Sequence, residues 1–257
     1  MTAAVVQPTA ALLIIGDEIL SGRTQDANLA HIAKTLGAAG IAMREARVVP
    51  DVEARIVEAL NALRAAYTYV FTTGGIGPTH DDITAASVAK AFGRPFGRNP
   101  EAERRLVAYY NDSPNDLNAM RLRMADMPAD VDALIDNPAS AAPGFVIGNV
   151  YVLPGVPRIM QAMLDGVVAK LEGGPRTLSR TVTVFTGEGE IAADLAAIQT
   201  DHPDLSIGSY PFMRHSRYGT SIVFRGIDQA GIDRAAEALL AVTRRMGVET
   251  SEDVGAS

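Results

Sequence analysis

The sequence predicts an α/β fold: a three-layer, mostly parallel sheet followed by a small α+β domain. Apolar runs typical of buried strands alternate with amphipathic helical segments across the first two thirds of the 257 residues. That order indicates parallel strands with helices on both faces of the sheet. A Glu-Gly-Gly-Pro break follows at 172–175, and beyond it the order of elements changes to β-α-β-β-α.

Each element of the larger domain is predicted from its own pattern. Ala11–Ile15 is apolar throughout, as expected of a central parallel strand. Apolar residues at helical spacing, such as Leu29, Ile32 and Leu36, predict the first helix. The predicted strands are 11–15, 41–49, 67–73, 131–135, 144–147 and 150–153, the last two joined by a Gly148-Asn149 turn. The predicted helices lie around 29–36, 56–63, 85–92 and 159–171, with a polar, mostly helical excursion at 99–129.

The chain is therefore expected to hold two domains, at 10–172 and 176–248, with flexible termini at 1–9 and 249–257. In the smaller domain we expect strands at 181–185, 205–210 and 221–224. Helices are expected around 191–198 and 232–246.

Composition excludes several classes of protein. There is no cysteine, so disulfides, thiolate metal sites and cysteine nucleophiles are absent. The net charge is -7 without a basic run, which argues against nucleic acid as a partner. The first nine residues lack a basic leader region and no apolar run is long enough to span a bilayer, so we expect a cytoplasmic protein without a membrane partner.

Three loops follow predicted strands, where ligands of such sheets bind. In the first, Asp17 and Glu18 have two interpretations: they hold a divalent cation, or they are solvated loop charges while Asp26 caps the next helix. Ser21 and Asn28 lie in the same stretch.

The second loop runs from Gly74 to Thr84 and is the most informative. Glycines let the backbone approach a phosphate, and free N–H groups at a helix start favour an anion. It matches neither the Walker A nor the dinucleotide fingerprint. A structural alternative stays open, because Thr79 and Asp82 have the spacing of a capping box. The candidate phosphate-binding residues here are Gly74, Gly75, Gly77, Pro78 and Thr79.

The third region comprises 137–145 and 153–157, where prolines and glycines predict stiff turns that either only shape the loop or form a further anion site. Its candidate ligand-binding residues are Asn137, Ser140, Gly144, Pro154 and Gly155. In the smaller domain, Arg214, His215 and Arg217 are either a phosphate clamp or a solvated loop cluster.

Taken together, the loops at 16–28, 74–84, 137–145 and 153–157 resemble the molybdopterin-binding-like domain of CinA proteins, over about residues 10 to 170. The second loop is also similar to that of the N-terminal domain of eukaryotic FAD synthases. Ser140 departs from the pattern, since glycine is usual there.

The resemblance implies a MogA/MoaB-like fold with a nucleotide or pterin phosphate site. It implies metal-dependent hydrolysis of a pyrophosphate such as ADP-ribose or FAD, with functional aspartates at Asp51 and Asp82. We therefore expect Mg, Mn or Co, held by Asp17, Glu18 and Asp82, and a homo-oligomer. Two alternatives stay open: a molybdopterin-binding protein or adenylyltransferase of molybdenum cofactor synthesis, and a non-catalytic nucleotide- or pterin-binding module.

Overall fold

The computed structural model describes residues 7–111, 116–214 and 217–253, and the chain divides into two compact units that join at Pro175 and Arg176. The strands of the first unit are β1 Thr9–Ile15, β2 Ala42–Val49, β3 Tyr69–Thr73, β4 Phe96–Arg98, β5 Asp126–Pro128, β6 Ala133–Ile135, β7 Gly144–Ile147 and β8 Val150–Leu153. Its helices are α1 Asp17–Leu20, α2 Asn28–Ala38, α3 Glu53–Ala66, α4 Thr84–Phe92, α5 Pro100–Tyr109, α6 Ala119–Leu122 and α7 Pro157–Val168, with a 3-10 turn at Arg123–Ala125.

The central sheet has the order β2-β1-β3-β8-β7-β6. The first four strands are parallel, and β7 is antiparallel to both of its neighbours, β8 and β6. Strand β7 alone therefore runs in the opposite direction in this sheet, and the prediction of a mostly parallel sheet is confirmed. The Gly148-Asn149 hairpin joins β7 and β8 as predicted, with Gly148 in the left-handed region at φ 56°.

Strand β1 explains why the fold has three layers. Its side chains alternate between two cores because successive residues of a strand face opposite sides. Leu13 packs in one core with α3, α4 and α5, and Leu12 packs in the other with α2 and α7. Both side chains are fully buried.

The second unit is an antiparallel sheet of order β10-β11-β9-β12. Its elements are β9 Leu178–Val184, α8 Glu188–Asp201, β10 Ser206–Arg214, β11 Arg217–Gly226, α9 Gln229–Met246 and β12 Thr250–Asp253. Val182, Ile222 and Phe224 share a core with Ile191 of α8 and Leu239 of α9, which confirms the predicted small α+β unit.

Three expectations need correction. Part of the excursion at 99–129 is not helical, because β5 pairs with β4. The N-terminal stretch at 1–9 is not flexible throughout, since Thr9 already pairs with Ala42. The expected tail at 249–257 is wrong for 250–253, which pair with β9 as an edge strand. Residues 1–6 and 254–257 lie outside the described part of the chain.

Among the described residues, no helix has the length and apolar character needed to cross a bilayer.

Candidate functional site

The candidate site begins where β1, β3 and β8 end side by side. A Cβ added to Gly74 would lie 2.2 Å from the backbone oxygen of Ile15, and one added to Gly155 would lie 3.2 Å from the Cα atom of Gly74. The Gly74 N–H also donates to the Leu153 carbonyl at 3.3 Å. The first, second and third loops therefore meet at one sheet edge, and Gly74, at φ 100°, has no room for a side chain.

Asn28 ties the start of α2 to this edge. Its Nδ2 atom donates to the carbonyl of Gly155 at 2.9 Å, and its side chain is only 4% exposed. The Oδ1 atom is buried without a partner in the described structure. The helix start itself is capped by Asp26, whose carboxylate accepts from the N–H of Leu29 at 2.9 Å.

Asp82 organises the glycine loop from within. One carboxylate oxygen accepts the N–H of Gly77 at 2.7 Å, and the other accepts the N–H of Thr79 at 2.7 Å together with the Thr79 hydroxyl. The capping-box alternative is therefore wrong: α4 begins at Thr84, after Ile83, and no side chain caps it.

The same bonds correct the expected phosphate donors. The N–H groups of Gly77 and Thr79 are already bound to Asp82, so they are not available as the loop stands. Within the described structure, the N–H groups of Gly75 and Ile76 have no acceptor, so they are free donors at the start of the loop. Gly75 has φ 66°, and a Cβ there would lie 2.2 Å from Oγ1 of Thr84.

Four carboxylates gather beside this edge. Asp51 Oδ2 accepts the N–H of Asp17 at 2.9 Å. Burial raises the pKa of Asp51; the Asp17 N–H opposes this, and the charges of Asp17, Glu18 and Asp81 add to the rise. Asp51 does not cap α3, since that helix begins at Glu53 without a side-chain cap. Its carboxylate instead accepts a hydrogen bond from the first residue of α1.

The expected metal trio of Asp17, Glu18 and Asp82 does not come together. In the part of the chain that the structure describes, no three His, Asp or Glu side chains form a group that could hold a metal ion by themselves. The oxygens of Asp82 face loop donors instead. The arrangement fits only a cation that takes one or two carboxylates and completes its shell with water and ligand phosphates, which is how Mg²⁺ usually binds.

The third region is mostly self-contained. Asn137 Oδ1 accepts the N–H groups of Ala139 and Ser140, and Nδ2 donates to Ser140 Oγ at 2.9 Å and to the Ala142 carbonyl at 2.8 Å. Gly144 is needed for packing, because a Cβ there would lie 2.3 Å from the Val152 carbonyl. The structure thus uses Asn137 and Ser140 to shape their own turn.

The remaining candidates are less central. The Ser21 hydroxyl donates to the Glu18 carbonyl at 3.3 Å and is exposed. Pro78 and Pro154 are partly buried, one in the glycine loop and one just after β8. Arg217 pairs with Glu249 at 2.7 Å and lies over the ring of Phe185. His215 and the side chain of Arg214 lie outside the described structure.

A cavity next to the glycine loop was missed by sequence reasoning. It is lined by loop residues 75–77, by Asp82, and by the first turn of α4. Its far wall comes from the excursion, with Phe96, Arg123, Met124, Asp126 and Met127, and from Pro143 and Phe145. Arg123 does not stand out in the sequence, because Arg121 lies two residues before it among the same apolar residues.

Comparison with known proteins decides the family. Residues 11–173 match the family model described as "Probable molybdopterin binding domain", and residues 176–251 match "FAD synthase, middle domain". The chain is a CinA-like member of the molybdopterin-binding-domain family. It is 32% identical to a CinA-like protein of Desulfosudis oleivorans over 96% of this chain, and it spans 62% of that protein. A protein of Pyrobaculum calidifontis is 36% identical over 79% of the chain and 81% of its own length.

A solved structure supports the same assignment. The CinA protein of Thermoplasma acidophilum, whose function is described as unknown, is 34% identical with a TM-score of 0.57. That likeness covers 63% of this CinA-like chain and 96% of the other.

Proposed function

We propose that this CinA-like protein is a divalent-metal-dependent nucleotide pyrophosphatase that acts on ADP-ribose or FAD. The observation that carries the proposal is the position of Asp51. It joins three other carboxylates at a sheet edge, and this edge also bears the glycine loop with its free N–H groups at Gly75 and Ile76. Acidic groups beside anion donors are the combination that a metal-bridged diphosphate requires.

The chain's own groups have separate roles in this proposal. The N–H groups of Gly75 and Ile76 bind a phosphate oxygen and hold the diphosphate against the loop. Asp17 and Glu18, beside Asp51, would hold the cation, which when bound offsets phosphate charge and acidifies water. Oδ2 of Asp51 is held by Asp17, so Oδ1 is the oxygen that accepts a proton from the attacking water. Asp82 positions the loop and does not touch the cation.

The test is turnover of ADP-ribose and of FAD with Mg, Mn or Co, and with EDTA, following AMP by chromatography. We expect AMP only with metal, and a loss of at least about 100-fold in the Asp51→Asn variant, since general-base catalysis alone contributes that much. Glu58→Gln is the matched control, because it also removes one carboxylate, but from the exposed surface of α3, where Glu58 pairs with Arg55. AMP production unchanged by Asp51→Asn would overturn the role of Asp51.

A second candidate follows from the family itself. Its description names molybdopterin binding, so the ligand of this edge is a phosphorylated pterin if no nucleotide is hydrolysed. Incubation with molybdopterin and ATP would then release pyrophosphate if the protein is an adenylyltransferase, whereas binding without any product would identify a non-catalytic module.

FAD remains a candidate substrate because residues 176–251 match the middle domain of FAD synthase. A homo-oligomer is also proposed and is tested by light scattering.

A further inference from the structure

The cavity beside the glycine loop has mostly apolar walls and very few charges. Ile76, Phe96, Met124 and Phe145 provide carbon surface, and the charged side chains are Asp82, Asp126 and Arg123. Because the loop itself forms one wall, a ligand held by the free N–H groups of the loop would extend directly into this space.

The two carboxylates of the cavity are already satisfied. Asp82 accepts hydrogen bonds on both oxygens from Gly77 and Thr79. Asp126 is paired with Arg98 at 2.6 Å, and Arg98 also bonds Glu103 at 3.0 Å. Neither acid therefore needs a partner inside the cavity.

Arg123 is in the opposite position. It is partly buried and lines the cavity, yet within the described structure its guanidinium has no ion pair and no hydrogen bond. Neighbouring arginines of the excursion are engaged: Arg105 pairs with Glu101 and Asp136, and Arg104 pairs with Glu101. A guanidinium that lines a cavity without a carboxylate partner keeps its N–H donors open to an anion.

We propose that Arg123 binds a phosphate group of the ligand in this cavity and so sets the requirement for a phosphorylated substrate. The guanidinium has the planar donor fork that matches phosphate oxygens, and phosphate is the anion that the adjacent loop N–H groups also favour. The apolar wall from Phe96, Met124 and Phe145 packs against the group that the phosphate carries. This role rests on the proposed function for the ligand's class, but it does not depend on hydrolysis.

The test is equilibrium binding to the full chain in EDTA, by calorimetry, with inorganic pyrophosphate, ADP-ribose and adenosine as probes. Arg123→Met keeps the bulk of the side chain and removes the charge, and Arg123→Lys keeps a charge without the fork. Arg104→Met is the matched control, because it removes one positive charge from the same excursion outside the cavity.

Arg123→Met should weaken pyrophosphate and ADP-ribose by about tenfold or more, the size of a hydrogen bond to a charged group. Arg123→Lys should recover part of that loss, while adenosine binding and the Arg104→Met control should change less than about twofold. Equal losses for adenosine and ADP-ribose would overturn the inference, as would unchanged pyrophosphate affinity or a wild-type protein that binds neither phosphate probe. Arg123-dependent binding in EDTA, together with no AMP when Mg, Mn or Co is supplied in the turnover assay, would uphold this inference and overturn the pyrophosphatase.

Discussion

Oδ2 of Asp51 accepts a 2.9 Å hydrogen bond from the N–H of Asp17, so the loop after β2 holds the turn that follows β1. The bond fixes one carboxylate oxygen and brings Asp51 close to the charges of Asp17 and Glu18. Crowding of like charges around a partly buried carboxylate is unfavourable for folding, and this is why we propose a cation-binding or proton-transferring role for these groups.

The raised pKa of Asp51 predicts a pH-dependent effect of Asp51→Asn. Because the folded-state pKa lies above the ordinary 3.8, ionisation of Asp51 destabilises the folded protein as pH rises through and above 3.8. The asparagine oxygen still accepts the Asp17 N–H. In EDTA, the variant should match wild type in urea unfolding near pH 3.5 and exceed it at pH 7. A variant less stable than wild type at pH 7 would contradict this.

We predict that the two carboxylate oxygens of Asp82 keep the glycine loop ordered. Asp82→Ala leaves the N–H groups of Gly77 and Thr79 without acceptors, which should cost about 1–3 kcal/mol. Asp82→Asn replaces one acceptor with a donor and should also loosen the loop. Hydrogen exchange at these two amides should accelerate in both variants. Retained protection would show that Asp82 does not hold the loop.

We predict that a side chain at Gly75 destabilises the protein by a steric clash in addition to backbone strain. Gly75→Ala and Gly22→Ala both place alanine at positive φ, 66° and 71°, at about 1–2 kcal/mol each. Only the Gly75 Cβ would meet another group, Thr84 Oγ1 at 2.2 Å, whereas Gly22 has open space. Thermal unfolding should show Gly75→Ala to be the more destabilised by about 1–3 kcal/mol. The added substitution Thr84→Ala should recover part of that difference, and equal losses in the two single variants would contradict the clash.

We predict that the hydrogen bond from the Asn28 side chain to the Gly155 carbonyl stabilises the sheet edge. Asn28→Ala removes the donor to the Gly155 carbonyl and leaves a buried acceptor unpaired, at about 1–3 kcal/mol. The comparison is Asn61→Ala, on α3, where water can replace the bond to Arg64 and the expected change is within about 0.5 kcal/mol. Similar unfolding midpoints for both variants would show that the Asn28 bond is not needed.

The fold was predictable where the pattern is strong. Ala11–Ile15 is a short run of apolar residues, which predicts a buried strand, and the glycines of the loop at 74–84 follow the predicted strand at 67–73 directly. The pairing of Phe96–Arg98 with Asp126–Pro128 was missed because three residues carry no periodicity and the contact is nonlocal. The edge strand at Thr250–Asp253 was missed because its polar residues resemble a tail.

The sequence selected loops that the structure brings to one sheet edge, but it did not reveal the contacts within them. The sequence selected Asp82, but spacing alone could not say whether its side chain caps a helix, binds a metal or accepts hydrogen bonds from its own loop. These roles differ only in the direction of the two carboxylate oxygens. Arg123 was missed for a related reason, because neither its lack of a partner nor its cavity is visible without the three-dimensional contacts.

Hydrolysis in H₂¹⁸O tests the central claim most directly. ADP-ribose is incubated with the protein and metal, and AMP and ribose 5-phosphate are examined by mass spectrometry. Cleavage of the pyrophosphate by water should place one ¹⁸O in the phosphate of one product, only with metal, and at a rate that falls sharply in Asp51→Asn. No product with any of the three metals, or AMP and ribose 5-phosphate both without ¹⁸O, would contradict a pyrophosphatase.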